Sequence, residues 1–281
     1  MKLLRMFPLA WLAAAFGIGG TAAADDRGDA LVLGDSVAFA YIASAGFEYG
    51  NPENFVGFAN RLDDTFKNAA DAGCPGETTG SFLSSTAPDN GCRAYRANFP
   101  LHVAYSGTQL DFATSYLKRH RDVRVVTITL GANDGFLLED ACASQPNPTA
   151  CIEAGLPAVL GTVEHNMQTI LADLRGTGFG GTIVITNYYS LDYSNAPATG
   201  LTVLLNEAIS APAAAYGAVV ADLFTAFKSV ASAPAFGGNS CNAGLLNASV
   251  SNQLLCDVHP SQSGHQLIAK AITQVLPHDH D

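Results

Sequence analysis

The stretch Ala30-Leu31-Val32-Leu33-Gly34-Asp35-Ser36 decides the fold that we expect for this chain. Its four apolar residues predict a short buried strand, and Gly34 permits a sharp turn directly after it. Ser36 would then emerge at the C-terminal edge of a sheet, where open α/β sheets bind their ligands. Gly34-Asp35-Ser36 is also common turn chemistry, so its meaning depends on the rest of the chain.

Further strand-like runs alternate with helix-like segments along the chain, and this alternation predicts a parallel α/β sheet. The predicted strands after the first are 123–130, 182–186 and 218–223, and the predicted helices are 54–67, 151–175, 201–216 and 264–275. Three cysteine-containing segments read as loops: 74–100, 139–157 and 231–253. No internal repeat and no long linker divides the chain.

The N-terminus reads as an export signal. Lys2 and Arg5 precede a mostly apolar stretch over 6–18, and Ala22-Ala23-Ala24 offers the small residues of a cleavage site. We therefore predict a signal peptide over 1–24 and a single domain over 25–281, secreted or periplasmic. The alternative is an uncleaved N-terminal anchor, but the apolar stretch is short for a membrane span and no second span follows.

The charge balance argues against a nucleic-acid partner. The net charge is −11, and removing 1–24, which carries two basic and no acidic residues, makes it −13. An acidic chain repels phosphate backbones, so we expect no binding to nucleic acid. The sequence carries no signal for an oligomeric state.

Six cysteines in an exported chain predict disulfides. Six cysteines allow 15 connectivities, and we expect neighbours to pair because each pair falls within one loop-like segment. Zinc is the alternative, but C-x-x-C and a neighbouring histidine pair are both missing, so no metal is predicted. A Gly-rich match at 176–181 follows a predicted helix rather than a strand, so no dinucleotide cofactor is predicted. The expected pairs are Cys74 with Cys92, Cys142 with Cys151 and Cys241 with Cys256.

Two further segments can supply hydrogen-bond donors to a developing oxyanion. Gly76 lies in Cys74-Pro75-Gly76-Glu77-Thr78-Thr79, where a glycine lets a backbone N–H approach a ligand closely. Asn133 lies in Gly131-Ala132-Asn133-Asp134, directly after a predicted strand, and carries an amide donor. Each segment alone also fits an ordinary turn.

A candidate general base lies near the C-terminus. His259 belongs to Asp257-Val258-His259-Pro260, just before the last predicted helix. His265 competes with it, but His265 lies within the helical pattern and has no adjacent acid.

Together these four blocks resemble the SGNH hydrolases, also called the GDSL esterase/lipase family. The matching residues are Ser36, Gly76, Asn133 and His259, in that order and over nearly the whole mature chain. The resemblance implies a flavodoxin-like three-layer α/β/α sandwich with a central parallel sheet, and ester hydrolysis without a cofactor. It also implies a nucleophile at Ser36, a base at His259, and an oxyanion hole of Ser36 N–H, Gly76 N–H and the Asn133 amide. No G-x-S-x-G sequence occurs, which argues against the α/β-hydrolase fold.

The chain departs from the family pattern at two positions. Val37 replaces the leucine of the first block, an exchange of one apolar residue for another. The family's usual last block is Asp-x-x-His, whereas here Cys256 lies three residues before His259 and Asp257 only two. We expect Asp257 to support the histidine, and the alternative is a backbone carbonyl in that role.

The substrate is less clearly indicated than the reaction. The aromatic segment 187–193 follows a strand and would either line an acyl or sugar pocket or cover the sheet edge. The form of the block around Gly76 favours hydrolysis of lipid or short-chain carboxylic esters. A carbohydrate O-acetyl esterase is the nearest alternative, and a non-catalytic binding module that kept the fold is the alternative from another class.

Overall fold

The computed structural model describes residues 28–42, 57–62, 65–249 and 256–277. The predicted signal peptide over 1–24 lies outside these residues. Within them, no helix has the length and apolar character needed to cross a membrane.

A five-stranded parallel sheet forms the centre of the molecule, in the order β2-β1-β3-β4-β5. Every residue of β1 is buried, as are six of the seven residues of β3. Strands of parallel sheets are covered on both faces, so they are apolar along their length rather than alternating. The strands are β1 (Asp29–Gly34), β2 (Asn68–Asp71), β3 (Val123–Thr129), β4 (Thr182–Thr186) and β5 (Ala218–Ala221).

Helices cover the two faces of this sheet. Their bounds are α1 (Ser36–Phe39), α2 (Phe58–Leu62), α3 (Thr79–Leu83), α4 (Cys92–Asn98), α5 (Gln109–Arg119), α6 (Ala132–Cys142), α7 (Pro148–Gly176), α8 (Ala196–Ser210), α9 (Leu223–Ala231) and α10 (Gln262–Gln274). One layer contains α2, α9 and α10, and the other contains α3, α5 and α7, with α6 and α8 packed on α7. The predicted three-layer α/β/α fold is therefore confirmed.

The strand order creates a crevice between β1 and β3. The chain leaves β1 towards β2 on one side and leaves β3 towards β4 on the other. Right-handed crossovers then place the connecting helices on opposite faces, which opens a space at the carboxyl ends of the two strands. Ser36 follows β1 and Asn133 follows β3, so both lie at this crevice.

A small antiparallel pair of strands carries the C-terminal block. Strand β6 (Leu246–Ala248) pairs with β7 (Cys256–Pro260), immediately before α10. His259 was expected only just before the last helix, and the structure places it within β7. This strand conformation determines how its side chains face, as described below.

Several sequence-based expectations of secondary structure are wrong. The segment 139–157 is not a loop but the end of α6 and the start of α7, and 74–100 contains α3 and α4. Strand β2 and helix α5 were not predicted. The helix expected over 54–67 appears as α2 over Phe58–Leu62, while 54–56 and 63–64 lie outside the described residues.

Prolines that a helix accommodates explain the error over 139–157, and α8 has the same feature at its start. Pro148 lies in the first turn of α7 and Pro197 in that of α8, where a missing N–H costs no hydrogen bond. Asn147 and Asn195 cap the two helices by accepting hydrogen bonds from backbone N–H groups. Helix α7 also accommodates Pro157 in its interior, where a proline normally breaks a helix.

The structure pairs all six cysteines in the local arrangement that the sequence predicts. The bonds are Cys74–Cys92, Cys142–Cys151 and Cys241–Cys256, and no cysteine in the described residues is free. Disulfides persist in oxidising compartments, so this pattern fits an extracellular or periplasmic protein.

Candidate active site

Ser36 is the first residue of α1 and follows β1 through a turn that requires glycine. Gly34 has a φ of +139°, and a Cβ there would lie 2.1 Å from the Thr129 carbonyl oxygen. The Asp35 carboxylate caps the helix by accepting a hydrogen bond from Val37 N at 2.8 Å. The N–H of Ser36 has no acceptor within the helix, because the first turn of a helix leaves its donors free.

The Asp35 side chain is fixed beneath this turn. Tyr188 donates a hydrogen bond from its hydroxyl to Asp35 Oδ2 at 2.5 Å, and both residues are buried. Burial raises the pKa of Asp35 to about 6, and the hydrogen bond from Tyr188 opposes that rise. The Asp35 carboxyl group therefore stabilises the start of α1. Sequence reasoning missed this role, because Tyr188 lies 153 residues away.

Gly76 lies in a tight turn beside a disulfide. Its φ is +85°, and a Cβ there would lie 2.2 Å from the Asn90 carbonyl oxygen, so no larger residue fits without a shift. The Gly76 carbonyl accepts a hydrogen bond from Asn90 N at 2.8 Å. The Cys74–Cys92 bond joins the same two segments.

Asn133 is held in one orientation near the start of α6. Its Nδ2 donates to the Glu77 carbonyl at 3.0 Å, and its Oδ1 accepts from Asn90 Nδ2 at 2.8 Å. The side chain is 5% exposed. A side-chain amide carries two N–H bonds, so one donor remains after the bond to Glu77.

Asp257 and His259 lie in β7 and face the same side. Residues two apart in a strand project to one face, so the two-residue spacing brings the carboxylate to the imidazole. His259 Nδ1 lies 2.6 Å from Asp257 Oδ2. The carbonyl of Val258, between them, accepts a hydrogen bond from the Tyr189 hydroxyl at 2.6 Å. The ring of Tyr41 packs edge-on against His259 at 5.0 Å between centroids.

Two clefts, one mainly apolar and one with aromatic walls, meet at Ser36, Asn133 and His259, which line both of them. The apolar cleft has a volume of about 360 Å³, and its walls include Val37, Phe136, Leu138, Ile152, Leu156, Val159, Leu160, Tyr188, Tyr189, Leu201 and Leu205. The aromatic cleft has a volume of about 700 Å³, and its walls include Tyr41, Pro75, Gly76, Asn90, Ala94, Tyr95, Asn98 and Phe99.

The structure therefore brings the sequence-predicted residues Ser36, Gly76, Asn133 and His259 together at the clefts. Asp257 contacts His259 through the ring nitrogen Nδ1. His265, the competing histidine, is buried in α10 and accepts a hydrogen bond from Phe58 N at 3.3 Å. Burial lowers its pKa to about 3. It lines neither cleft, so its position is that of a core residue.

One group of possible metal ligands occurs in the part of the chain that the structure describes. The ligand atoms of Cys74, Glu77 and Cys92 lie within 4.8 Å of one another. The two sulfur atoms are bonded to each other, and a disulfide offers no thiolate to a metal. This group therefore does not fit a zinc site.

Residues 32–267 match the GDSL-like lipase/acylhydrolase family, and the chain belongs to this family of ester hydrolases. A comparison with curated proteins gives no match.

Solved structures of esterases and lipases share the fold. Phospholipase A1 from Streptomyces albidoflavus NA297 has a TM-score of 0.54 at 16% identity, over 88% of this chain and 98% of that one. Axe2, an acetylxylan esterase from Geobacillus stearothermophilus, has a TM-score of 0.53 at 14% identity, over 88% and 93%. The lipase Lip_vut3 from a goat rumen metagenome has a TM-score of 0.54 at 16% identity, over 88% and 96%.

Proposed function

We propose that this protein is an exported serine esterase or lipase that hydrolyses carboxylic esters through an acyl-enzyme on Ser36. The observation that carries the proposal is the meeting of Ser36, Asn133 and His259 on the walls of the same two clefts. A nucleophile, a base and an oxyanion donor are the groups that acyl transfer requires.

In the acylation step, Ser36 Oγ attacks the carbonyl carbon of the ester while His259 Nε2 takes its proton. Asp257 keeps the proton on Nδ1 and stabilises the imidazolium, as the 2.6 Å contact between them supports. The carbonyl oxygen becomes negative as the tetrahedral intermediate forms. The alcohol leaves with the proton returned by His259, and the acyl group remains on Ser36.

The oxyanion would be held by three donors: Ser36 N–H, Gly76 N–H and Asn133 Nδ2. The first points from the N-terminus of α1, and the second comes from a turn that only glycine fits. The third is aligned by Asn90 and by the Glu77 carbonyl. Donors fixed before the reaction stabilise developing charge without reorganisation, and losing one typically lowers kcat by ~10²–10³.

Deacylation reverses these roles. His259 takes a proton from a water molecule, whose oxygen attacks the acyl carbon and forms a second tetrahedral intermediate in the same oxyanion hole. Its collapse releases the carboxylic acid and returns the proton to Ser36. Each half-reaction uses the same base and donors, so no cofactor is needed.

The apolar cleft is suited to the acyl chain of the substrate. Eight leucine, isoleucine, valine and phenylalanine side chains from α6, α7 and α8 belong to its walls. Burying a methylene group contributes about 0.8 kcal/mol, so each added carbon that fits should strengthen binding. We therefore favour esters with a medium or long acyl chain.

The aromatic cleft favours a second candidate, a carbohydrate O-acetyl esterase. Tyr41, Tyr95 and Phe99 offer ring faces, and Asn90 and Asn98 offer amide groups. Such surfaces combine an apolar body with polar tips, which fits a polar alcohol or a sugar ring. Under the first proposal, this cleft holds the alcohol part of the ester.

A panel of p-nitrophenyl acetate, octanoate and palmitate, run beside acetylated xylan, tests the choice of substrate. The proposal expects kcat/KM to rise from acetate to octanoate, with little acetate released from xylan. Release of acetate from xylan together with falling activity on longer chains would support the O-acetyl esterase instead.

Ser36→Ala tests the mechanism itself. The change removes one hydroxyl at a cleft surface, so the circular dichroism spectrum should be unchanged. Because nucleophile and base act as a unit, kcat should fall by ~10⁴ or more. A serine-directed fluorophosphonate should label the wild type and not the variant. An unlabelled, inactive wild type would support a binding module.

Export and domain boundaries form part of the proposal. A signal peptide over 1–24 would leave a single domain over 25–281, and the three disulfides support passage into an oxidising compartment. Mass spectrometry of the exported protein should give an N-terminus at Asp25. An N-terminus at Met1 in a membrane fraction would favour the uncleaved anchor.

A further inference from the structure

Two buried polar side chains lie behind the clefts and connect the loops that carry the proposed oxyanion donors. Glu77 is 2% exposed and Gln109 is fully buried. Neither lines a cleft, and neither is one of the four residues that match the family pattern. Each costs free energy to bury, so their hydrogen-bond partners decide what they contribute.

The Gln109 amide pairs with both backbone groups of Gly34. Gly34 N donates to Gln109 Oε1 at 2.6 Å, and Gln109 Nε2 donates to the Gly34 carbonyl at 3.0 Å. The same carbonyl also accepts from Cys74 N at 2.9 Å. Gln109 is the first residue of α5, which Thr108 caps through a hydrogen bond from Asp111 N at 3.0 Å. A fixed helix start thus holds the turn two residues before Ser36.

Glu77 continues this connection to the other two donors. Its Oε2 accepts from Gln109 Nε2 at 3.2 Å, and its Oε1 accepts from the Ser81 hydroxyl. Glu77 directly follows Gly76 in the chain, and its carbonyl accepts the bond from Asn133 Nδ2 at 3.0 Å. Buried hydrogen bonds therefore run from the Ser36 turn through Gln109 to the Glu77 side chain. The backbone of Glu77 continues the connection, by its peptide bond to Gly76 and by its carbonyl to Asn133.

We propose that Gln109 and Glu77 are positioning residues that set the spacing of the three oxyanion donors. This proposal rests on the function proposed above. The network crosses three loops that are far apart in sequence, and it is desolvated, so each bond is stronger than it would be in water. An apolar pair of similar volume would fill the same space. A polar pair adds to the Cys74–Gly34 backbone bond a second connection between the turn at Gly34 and the loop that contains Glu77.

The first test replaces the amide with a thioether of similar length, Gln109→Met. Because a misplacement of about 1 Å can cost ~10² in rate, kcat for octanoate should fall by about 10² while KM changes little. The matched control is Arg175→Met. Arg175 donates to the carbonyls of Phe179, Gly181, Tyr216 and Gly217 at the other end of the strands. That variant should lose thermal stability but keep kcat. A Gln109→Met kcat within roughly threefold of wild type, or an equal loss in Arg175→Met, would overturn the proposal.

Two substitutions at Glu77 provide a second test if Gln109→Met does not fold. Glu77→Gln keeps an acceptor for Gln109 and should retain most of the kcat. Glu77→Leu removes the bonds to Gln109 and Ser81 and should lose kcat by about 10² without a matching change in KM. Equal kcat values for the two variants would contradict a positioning role.

Hydrogen–deuterium exchange separates this proposal from the proposed reaction. Gln109→Met should speed amide exchange in 34–38 and 73–79 but leave β4 and β5 protected, whether or not the protein hydrolyses the chosen ester. Unchanged exchange in both segments would overturn the network. The activity of Ser36→Ala tests the mechanism, whereas amide exchange in Gln109→Met tests the network. Failure of the mechanism and failure of the network therefore give different results.

Discussion

The spacing of Asp257 and His259 shows how backbone conformation decides whether two residues can act together. The family's usual separation is three residues, and here it is two. In an extended strand, side chains two apart share a face, and β7 supplies that conformation. The 2.6 Å contact between Asp257 Oδ2 and His259 Nδ1 is the result. We infer that the shorter spacing is compatible with a working Ser-His-Asp triad.

We expect Asp257→Asn to lower kcat by ~10²–10⁴ with little change in KM, because the amide no longer holds the correct tautomer of His259. His259→Ala should be inactive on the same soluble ester and serves as the reference. Both variants should keep their circular dichroism spectra, since Asp257 and His259 are partly exposed. A nearly wild-type Asp257→Asn beside an inactive His259→Ala would reduce the triad to a Ser36–His259 dyad supported by a backbone carbonyl.

Sequence reasoning could locate the residues that line the clefts, but not the buried partners that hold their loops in place. Ser36, Asn133 and His259 lie at strand ends or in short characteristic blocks, so local pattern was enough to select them. Asp35 with Tyr188, and Gln109 with Gly34, are pairs separated by 153 and 75 residues. Glutamine and tyrosine carry no local signal for such a role. These pairs became apparent only when the sheet brought their loops together.

At the scale of elements, helices α6 and α7 together supply much of the apolar cleft, and α7 contributes nothing to the aromatic cleft. The sequence over 139–157 is rich in small residues and proline and predicts a loop, whereas in the structure a tight turn and the Cys142–Cys151 bond join two helices there. Pairing of α7 with α6 and α8 buries its apolar side and overrides weak local propensity. The strands were easier to predict, since a fully buried parallel strand is apolar throughout.

A bulky residue on α7 should shorten the apolar cleft. We expect Leu156→Trp to lower kcat/KM for p-nitrophenyl octanoate by at least ~10-fold and to leave p-nitrophenyl acetate nearly unchanged, because one or two lost methylene contacts are worth ~1–3 kcal/mol. Ala94→Trp in the aromatic cleft is the matched control and should affect esters with a large alcohol rather than a long acyl chain. Equal effects of Leu156→Trp on both esters would place the acyl chain elsewhere.

The Cys241–Cys256 bond anchors the strand that carries His259. Its two residues are 15 apart, and closing a loop of that length contributes ~3 kcal/mol in the chain-entropy model. We expect the double variant Cys241→Ser/Cys256→Ser to lose stability and kcat together. The Cys142–Cys151 bond closes a shorter loop outside β7, so the variant Cys142→Ser/Cys151→Ser should lose stability with a smaller effect on kcat. Peptide mapping without reduction checks the pairing, and bridges between distant segments would contradict it.

At the scale of the whole molecule, three buried acids make folding depend on pH. Burial raises the pKa of Asp35 to about 6, of Glu77 to about 7 and of Asp71 to about 8. A buried acid with a raised pKa binds its proton more tightly in the folded state than in the unfolded state. The free energy of unfolding therefore falls as the pH rises between the unfolded and folded pKa values of each group. For Asp71 that window runs from 3.8 to about 8.

Asp71 offers the cleanest test of this dependence, because it ends β2 and lines neither cleft. Its Oδ1 accepts from Gly73 N at 2.8 Å, a bond that an asparagine oxygen can keep. Asp71→Asn should therefore flatten the decline of the free energy of unfolding between about pH 4 and about pH 9, because the asparagine does not titrate. At the alkaline end its Tm should exceed that of the wild type by ~2–4 °C for each kcal/mol recovered. Asp173→Asn makes the same charge change on an exposed face of α7 and should not alter the slope. Thermal unfolding of the three proteins across this range measures the effect, and parallel curves for wild type and Asp71→Asn would show that Asp71 does not bind its proton more tightly in the fold.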